Sequence, residues 1–238
     1  MSQTVFHFKH FTIHQDRCAM KVGTDGVLLG AWTDPTSINR ILDIGTGTGL
    51  IALMLAQKST ANIDAIDIDE NSCSQADENI SASKWFDRIQ VHHCSLQSYI
   101  LTCSVKYDLI VSNPPYFIDA YYANDHSRNL ARQADAGLSF DELILGVKAL
   151  LKEDGKFCVI LPCKEGCYFK TKAAIAGLYC NLITHVKTKS DKLEKRMIMK
   201  YQFKKEILVE NELLIHEDDI SFTEDYMELT KDFYPAFS

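Results

Sequence analysis

Two short stretches hold residue types that could do chemistry together. The first is Asn113-Pro114-Pro115-Tyr116, which follows the apolar run Tyr107-Asp108-Leu109-Ile110-Val111-Ser112. Such a run reads as a buried strand, so the tetrapeptide is a turn at a strand's carboxyl end. The Asn113 side-chain carbonyl and the Pro114 backbone carbonyl can each accept one N–H bond from a planar amide or amine. Proline at 114 removes a competing backbone donor, and two prolines stiffen the turn. An amine attached to an aromatic ring is a poor nucleophile, because its lone pair is delocalised. Two acceptors draw that nitrogen towards tetrahedral geometry and aim the lone pair. Tyr116 can stack on the ring that carries the amine, a contact worth ~1–3 kcal/mol. The plain alternative is a rigid loop that ends a strand.

The second stretch is Asp43-Ile44-Gly45-Thr46-Gly47-Thr48-Gly49, again after a short apolar strand, Ile41 to Ile44. The glycines alternate, unlike the G-x-G-x-x-G of a dinucleotide site. Alternating glycines let the backbone, with Thr46 between them, pass close under a flat or bulky group. Asp67 ends the next strand, about twenty residues on, where a carboxylate can take both hydroxyls of a ribose. Asp69, just beyond, reads as a solvated helix start. Asp43 lies within an apolar strand, so it is expected to orient the turn or a ligand's amino group. In an open α/β sheet, turns at strand carboxyl ends lie along one crevice, where ligands bind.

The elements that would position these turns alternate strand and helix. Strands are expected at Ile41–Ile44, Ile63–Ile68, Ile89–His93, Tyr107–Ser112 and Gly155–Pro162. Helices are expected at Leu50–Gln57, Glu70–Ala82, Leu138–Leu151 and Phe169–Gly177. This alternation predicts an α/β fold with a mostly parallel twisted sheet and helices on both faces. Cys180–Val186 and Arg196–Phe203, joined by a charged loop, predict a terminal antiparallel hairpin. Ahead of the sheet, Phe6 to Phe11 alternates aromatic and polar residues like a short strand. Gly23-Thr24-Asp25-Gly26 reads as a helix start with Thr24 or Asp25 as N-cap. Near the end, Ser221 and Glu224 have capping-box spacing before a short helix.

The 238 residues suffice for one well-filled α/β domain. No apolar run is long enough to span a bilayer, and Met1 to His7 lacks the features of a signal peptide. A cytoplasmic protein without a membrane partner is therefore expected. The eight cysteines include no C-x-x-C pair. Reduced thiols and no metal site are the expectation. A net charge of −7 speaks against nucleic acid as partner unless the charge is locally reversed. One segment is strongly basic: Lys187, Lys189, Lys192, Lys195, Arg196, Lys200, Lys204 and Lys205 face only Asp191, Glu194 and Glu206. Arg128 and Arg132 form a second basic source after the Asn-Pro-Pro-Tyr turn.

The glycine turn with Asp43 and Asp67 resembles the S-adenosylmethionine pocket of Rossmann-like methyltransferases. The resemblance implies that Gly45, Thr46, Gly47, Gly49 and Asp67 hold the cofactor. It also implies that Lys21-Val22-Gly23-Thr24-Asp25 folds over its methionine portion, with Lys21, Thr24 and Asp25 as contacts. In such enzymes an acid after the third strand receives the cofactor's adenine; Ser95 stands there in this chain. The Asn-Pro-Pro-Tyr turn serves three substrate classes in known families: adenine N6, a glutamine side-chain amide, and guanine N2.

The wider pattern separates these classes. Gln15 to Trp32, the glycine motif, Ala76-Asp77-Glu78-Asn79-Ile80, Asn113 to Tyr116 and the tail from Phe222 to Tyr234 match in order. Together they resemble the bacterial tRNA1(Val) adenine N6-methyltransferase family over nearly the whole chain. This implies one methyltransferase domain over 1–238, with residues 1–35 covering the cofactor site and 36–238 forming the catalytic core and tail. It also implies tRNA as substrate. Asn113, Pro114 and Tyr116 would be catalytic, with Asn113 also beside the cofactor. Pro115, Arg128, Arg132, Lys192, Lys195 and Arg196 would contact RNA, and no obligate protein partner is needed. A protein glutamine methyltransferase, a DNA or rRNA amino-methyltransferase, and a non-enzymatic RNA-binding protein of the same fold are the alternatives.

Overall fold

The computed structural model describes residues 4–115, 138–219 and 221–237. The lead-in holds β1 (Val5–His7) and β2 (Thr12–His14), paired antiparallel, then α1 (Thr24–Trp32). The expected single strand over Phe6–Phe11 is thus a hairpin: the Phe8 N–H donates to the Phe11 carbonyl and turns the chain back. The alternating part follows as β3 (Arg40–Ile44), α2 (Leu50–Lys58), β4 (Asn62–Asp67), α3 (Glu70–Ser81), β5 (Ile89–His93), α4 (Leu96–Thr102) and β6 (Tyr107–Ser112). Beyond residues 116–137 come α5 (Phe140–Leu150), β7 (Leu151–Pro162), α6 (Cys163–Ile175), β8 (Tyr179–Lys187), β9 (Arg196–Gln202), β10 (Val209–Leu214) and α7 (Glu224–Thr230).

The main sheet has eight strands in the order β10-β8-β9-β7-β6-β3-β4-β5. Strands β3 to β7 run parallel, and β9 inserts antiparallel between β7 and β8. The predicted hairpin is β8–β9. β10 adds itself parallel to β8 at the edge.

Successive strand residues feed two separate cores, as the period of two requires. Ile41, Ile63, Leu109, Val111 and Ile160 join one cluster, with residues of α1, α2, α3 and α7. Leu42, Ile44, Ile66, Ile110 and Val159 join the other, with residues of α4, α5 and α6. Burial on both faces explains why these strands read as continuous apolar runs.

Helix α1 is fixed by contacts remote in sequence. A Cβ at Gly30 would lie 2.6 Å from Met54 Sδ, so α1 and α2 touch along their backbones. Lys58 reaches across from α2 and donates to the carbonyls of Ala31 and Thr33 (2.5 and 2.6 Å), satisfying acceptors at the end of α1. Burial lowers the Lys58 pKa. Two expected caps fall elsewhere. Gly23, not Thr24 or Asp25, caps α1, and it makes no side-chain cap bond. Thr223, not Ser221, caps α7 by accepting from the Tyr226 N–H.

Candidate active site

Parallel pairing sets the site's geometry. Ile44 stands opposite Ile66 and Ser112, and Asp67 opposite His93. The glycine turn after β3 therefore lies beside Asn113 after β6 on one side and Asp67 on the other. The buried Ser112 hydroxyl donates to the Ile44 carbonyl at 2.9 Å and ties the two turns together.

The glycine turn is built from left-handed backbone: φ is 74° at Gly45, 56° at Gly47 and 80° at Gly49. Gly45 and Thr46 both donate to the Ile66 carbonyl (2.9 and 3.1 Å), and Gly47 donates to Asp67 Oδ2 at 2.8 Å. A Cβ at Gly45 or Gly47 would meet nothing within 4 Å. These two glycines thus open onto a cradle. Gly49 differs, since a Cβ there would touch Ala76 and Ile80 of α3 at 3.4 Å. Its freedom serves the start of α2 and the packing on α3.

Asp43 is wholly buried. One oxygen accepts from the Thr46 hydroxyl at 2.7 Å; the other has no hydrogen-bond partner. Burial pushes its carboxyl up to about 7; the Thr46 hydroxyl opposes this and the neighbouring Asp67 adds to it. Asp67 accepts the Gly47 N–H on one oxygen and the Asp69 N–H on the other (3.0 Å). Each oxygen retains a second acceptor site. Asp69 caps α3 through Ser72, as its position suggested. Ser95 caps α4 by accepting from the Ser98 N–H, and its hydroxyl donates to Ser98 Oγ at 3.0 Å. The exposed side chain of Ile68 (71%) follows Asp67 and offers an apolar surface at the crevice. Sequence reading passes over it as the last residue of a strand; its place just past a strand-ending acid is the available signal.

The lead-in is held across this turn by buried amides. Asn79 of α3 accepts from the His14 N–H (2.8 Å) and donates to the carbonyls of His14 and Thr48 (2.9 Å each). Gln75 accepts from the Arg17 N–H. Gln15 accepts from the Val22 N–H at 2.6 Å, while Lys21 Nζ donates to the Gln15 carbonyl. Lys21 is therefore engaged in folding the lead-in. The sequence does not single out Gln75, Asn79 and Gln15 for these roles. A buried Gln and Asn one turn apart beside Ala76 and Ile80 is the signal, because such amides need long-range partners.

Helix α1 stands over Asn113: a Cβ at Gly26 would lie 3.9 Å from Asn113 Nδ2 and 3.1 Å from Leu50 Cδ2. Asn113 is half-buried, Pro114 buried and Pro115 exposed. Thr24 is exposed at the helix start. Asp25 accepts from Arg196 Nε at 2.7 Å, so a residue expected at the cofactor and one expected at RNA are paired with each other. Lys192 and Lys195 are exposed; Lys192 lies 3.0 Å from Asp191. β9 begins opposite Pro162, the last residue of β7, so the β8–β9 tip lies on the same sheet edge as the crevice. Tyr116, Arg128 and Arg132 lie outside the described residues.

This crevice sits within a stretch that known proteins share. The family model for the methyltransferase small domain matches residues 21–164. A tRNA1(Val) (adenine(37)-N6)-methyltransferase of Trichodesmium erythraeum is 47% identical over 237 residues, covering 98% of this chain and 99% of its own. One from Bacteroides fragilis is 47% identical over 235 residues, with the same coverage. The chain belongs to this family. Two solved structures share the fold at lower identity. A protein of Agrobacterium tumefaciens described as a predicted O-methyltransferase superposes with a TM-score of 0.67 at 19% identity, covering 88% of this chain and 96% of that one. The ribosomal protein L11 methylase of Lactobacillus delbrueckii subsp. bulgaricus gives 0.55 at 17%, covering 83% and 98%. The small-domain match ends just past β7, so the lead-in hairpin β1–β2, most of α6, and β8, β9, β10 and α7 are what the full-length relatives add. No helix among the described residues is long and apolar enough to cross a membrane, and no group of His, Cys, Asp or Glu among them could hold a metal ion.

Proposed function

We propose that this protein methylates N6 of adenine 37 in tRNA1(Val), using S-adenosylmethionine. Family membership over 98% of the chain gives the substrate. The observation that carries the chemistry is the Asn113 turn locked by Ser112 beside the open glycine cradle.

The residues present suit the cofactor. Gly45 and Gly47 leave open space, Asp67 keeps acceptor sites for ribose hydroxyls, and the unpartnered oxygen of Asp43 suits an amino group. Thr46 orients Asp43, and Thr24 and Lys21 stand at the covering segment. Ser95, spent on capping α4, supplies no charge to the cofactor's adenine. When bound, S-adenosylmethionine supplies a methyl group on a sulfonium.

The protein's own work is positioning and polarisation. The Asn113 and Pro114 carbonyls accept the two N–H bonds of the adenine amine and turn its lone pair towards the cradle. Tyr116 stacks on the base. Pre-alignment of this kind, with fixed dipoles where charge develops, is the main source of rate in such a transfer. Lys192 and Lys195, with Arg128 and Arg132, hold the RNA backbone, and Pro115 abuts the substrate. Arg196 acts through Asp25, linking the hairpin to the lead-in over the cofactor.

Incubation with radiolabelled S-adenosylmethionine and bulk tRNA, DNA or release factor tests this reading. Label should appear as N6-methyladenosine in tRNA. Label only in protein would sink it in favour of glutamine methylation.

A further inference from the structure

The Asp25–Arg196 pair joins two residues that the sequence assigns to different ligands, and it stands beside the reactive side chain. Arg196 opens β9 opposite Pro162, the last residue of β7, and β7 lies next to β6. Strand spacing puts the arginine's backbone ~10 Å to the side of β6, on the flank away from the glycine turn. Its Nε donates to Asp25 Oδ2 at 2.7 Å and its Nη1 to the Lys195 carbonyl at 2.9 Å. Asp25 and Gly26 are the second and third residues of α1. A Cβ at Gly26 would lie 3.1 Å from Leu50 Cδ2 and 3.9 Å from Asn113 Nδ2. The first turn of α1 is therefore wedged between Arg196 on one flank and Asn113 on the other. Gly23 gives this turn no side-chain cap bond, so the ion pair fixes where the helix begins.

We infer that Asp25 and Arg196 form a strut that holds α1 against Asn113 and so keeps the Asn113 acceptor aimed at the adenine amine. Both are then positioning residues, in place of a cofactor contact and an RNA contact. The inference rests on the function proposed above and says how its reactive amide is oriented. An asparagine amide turns readily about its last torsion, and its two ends are opposite in kind. The oxygen accepts and the nitrogen donates, so only the oxygen can take an N–H bond of the amine. Nδ2 is the amide atom nearer α1, which leaves Oδ1 for the crevice. With α1 withdrawn, the amide is free to turn its nitrogen towards the amine, donor against donor. The charges of Asp25 and Arg196 offset each other, so the pair presents little net field to a phosphate or to the cofactor.

The test uses the full-length protein, valine tRNA and labelled S-adenosylmethionine, with kcat and both KM values measured for Asp25→Asn and Arg196→Gln. The two side chains are 23% and 30% exposed, so both variants should fold. Removing the two charges shifts the local field in opposite directions, whereas breaking a strut acts the same way from either end. Each variant should therefore lose roughly tenfold in kcat, short of the ~10²-fold that a 1 Å misplacement can cost, with both KM values within about twofold of wild type. The double variant should lose no more than either single one, because the two residues act as a unit. Arg196→Lys, which can still pair with Asp25, should be faster than Arg196→Gln. The deciding measurement adds Arg196→Gln to Asn113→Ala. With no amide left to orient, single-turnover rates should be equal with and without it; a further loss of the same size would overturn the inference. So would a raised KM for S-adenosylmethionine at unchanged kcat in Asp25→Asn, which makes Asp25 a cofactor contact. A raised KM for tRNA with a shallower salt dependence in Arg196→Gln would overturn it too, by making the arginine an RNA contact. A wild-type protein that leaves tRNA unmethylated would overturn the function itself, which is a separate result.

Discussion

The two ends of one sheet edge work differently. At the β4–β3–β6 end, polar groups are buried and fixed by backbone. Asp43 is buried against Thr46, Gly47 is held by Asp67, and Ser112 is bonded to Ile44. At the β9–β8–β10 end, charges are exposed or paired at the surface. Lys192 meets Asp191 at 3.0 Å, and Arg196 meets Asp25 at 2.7 Å. Parallel register can place two turns within a bond length's tolerance, which chemistry needs. A hairpin tip can only offer surface, which recognition of a large substrate needs. Changes at the first end should therefore act on the chemical step or the cofactor, and changes at the second, the Asp25–Arg196 strut apart, on tRNA affinity.

The sharpest break in this comparison is Asn113→Ala. Removing one of two acceptors on the reacting amine should cost ~10²–10³-fold in kcat, by analogy with removal of a transition-state hydrogen bond. Asn113 is only half-buried, so the thermal midpoint should move little. Single-turnover methylation at the wild-type rate would refute the assigned role.

The glycines allow a finer cut. Gly47→Ala and Gly49→Ala both impose a left-handed conformation on alanine, at roughly 1–2 kcal/mol each. Only the Gly47 side chain would enter the open cradle; that of Gly49 would meet α3. Calorimetry with S-adenosylhomocysteine should show a loss of roughly tenfold or more for Gly47→Ala, or about 1.4 kcal/mol. Gly49→Ala should bind it nearly normally. Equal losses would mean that the cradle does not face the cofactor.

Asp43 gives a pH signature. Its folded pKa, about 7, lies above the ordinary carboxyl value of 3.8. The folded state therefore holds the proton more tightly than the unfolded state. The stability that this proton confers is complete below about pH 4 and is lost as the pH rises through 7. Asp43→Asn should remove that slope: its stability relative to wild type should increase between pH 4 and 7, by an amount on the order of a few kcal/mol. Denaturant titrations at several pH values check this, and parallel curves for the two proteins would contradict it.

How much of this is legible in the sequence depends on the distance over which a residue is determined. β6 is readable to the residue, because a strand buried on both faces is a nearly continuous apolar run, and β5, at the sheet edge, because Ile89 and Val91 alternate with polar residues. Asp43, Gly45, Gly47 and Asp67 are readable because local spacing sets their backbone. Helix α4 is not: over seven residues it buries only Leu96 and Tyr99, one turn apart, too little for a period to emerge. The cap of α1 is misread because Asp25 is claimed by Arg196, far along the chain. Thr24 and Asp25 satisfy a local rule that a long-range ion pair overrides. The clamp of Asn79 on His14 and Thr48 escapes for the same reason.

The smallest expected effect lies at the hairpin tip, where it separates a solvated face from an RNA-binding one. Lys192 is already 3.0 Å from Asp191, and both are more than half exposed. Such a pair contributes ~0–1 kcal/mol to stability, so Lys192→Glu with Lys195→Glu should leave the thermal midpoint nearly unchanged. Removing one lysine–phosphate interaction should reduce the slope of log affinity against log salt by ~0.7–0.9. The double variant should then bind tRNA more weakly at low salt, with a slope shallower by roughly one to two. Asp191→Asn should do the reverse, more weakly, by freeing Lys192. Because these groups hold the backbone and not the amine, kcat at saturating tRNA should not change. A fall in kcat with an unaltered salt slope would place the hairpin in the chemistry and abolish the division between the two ends. Wild-type binding and slope would leave the lysines as a solvated face, and RNA recognition would then fall to residues elsewhere on this edge.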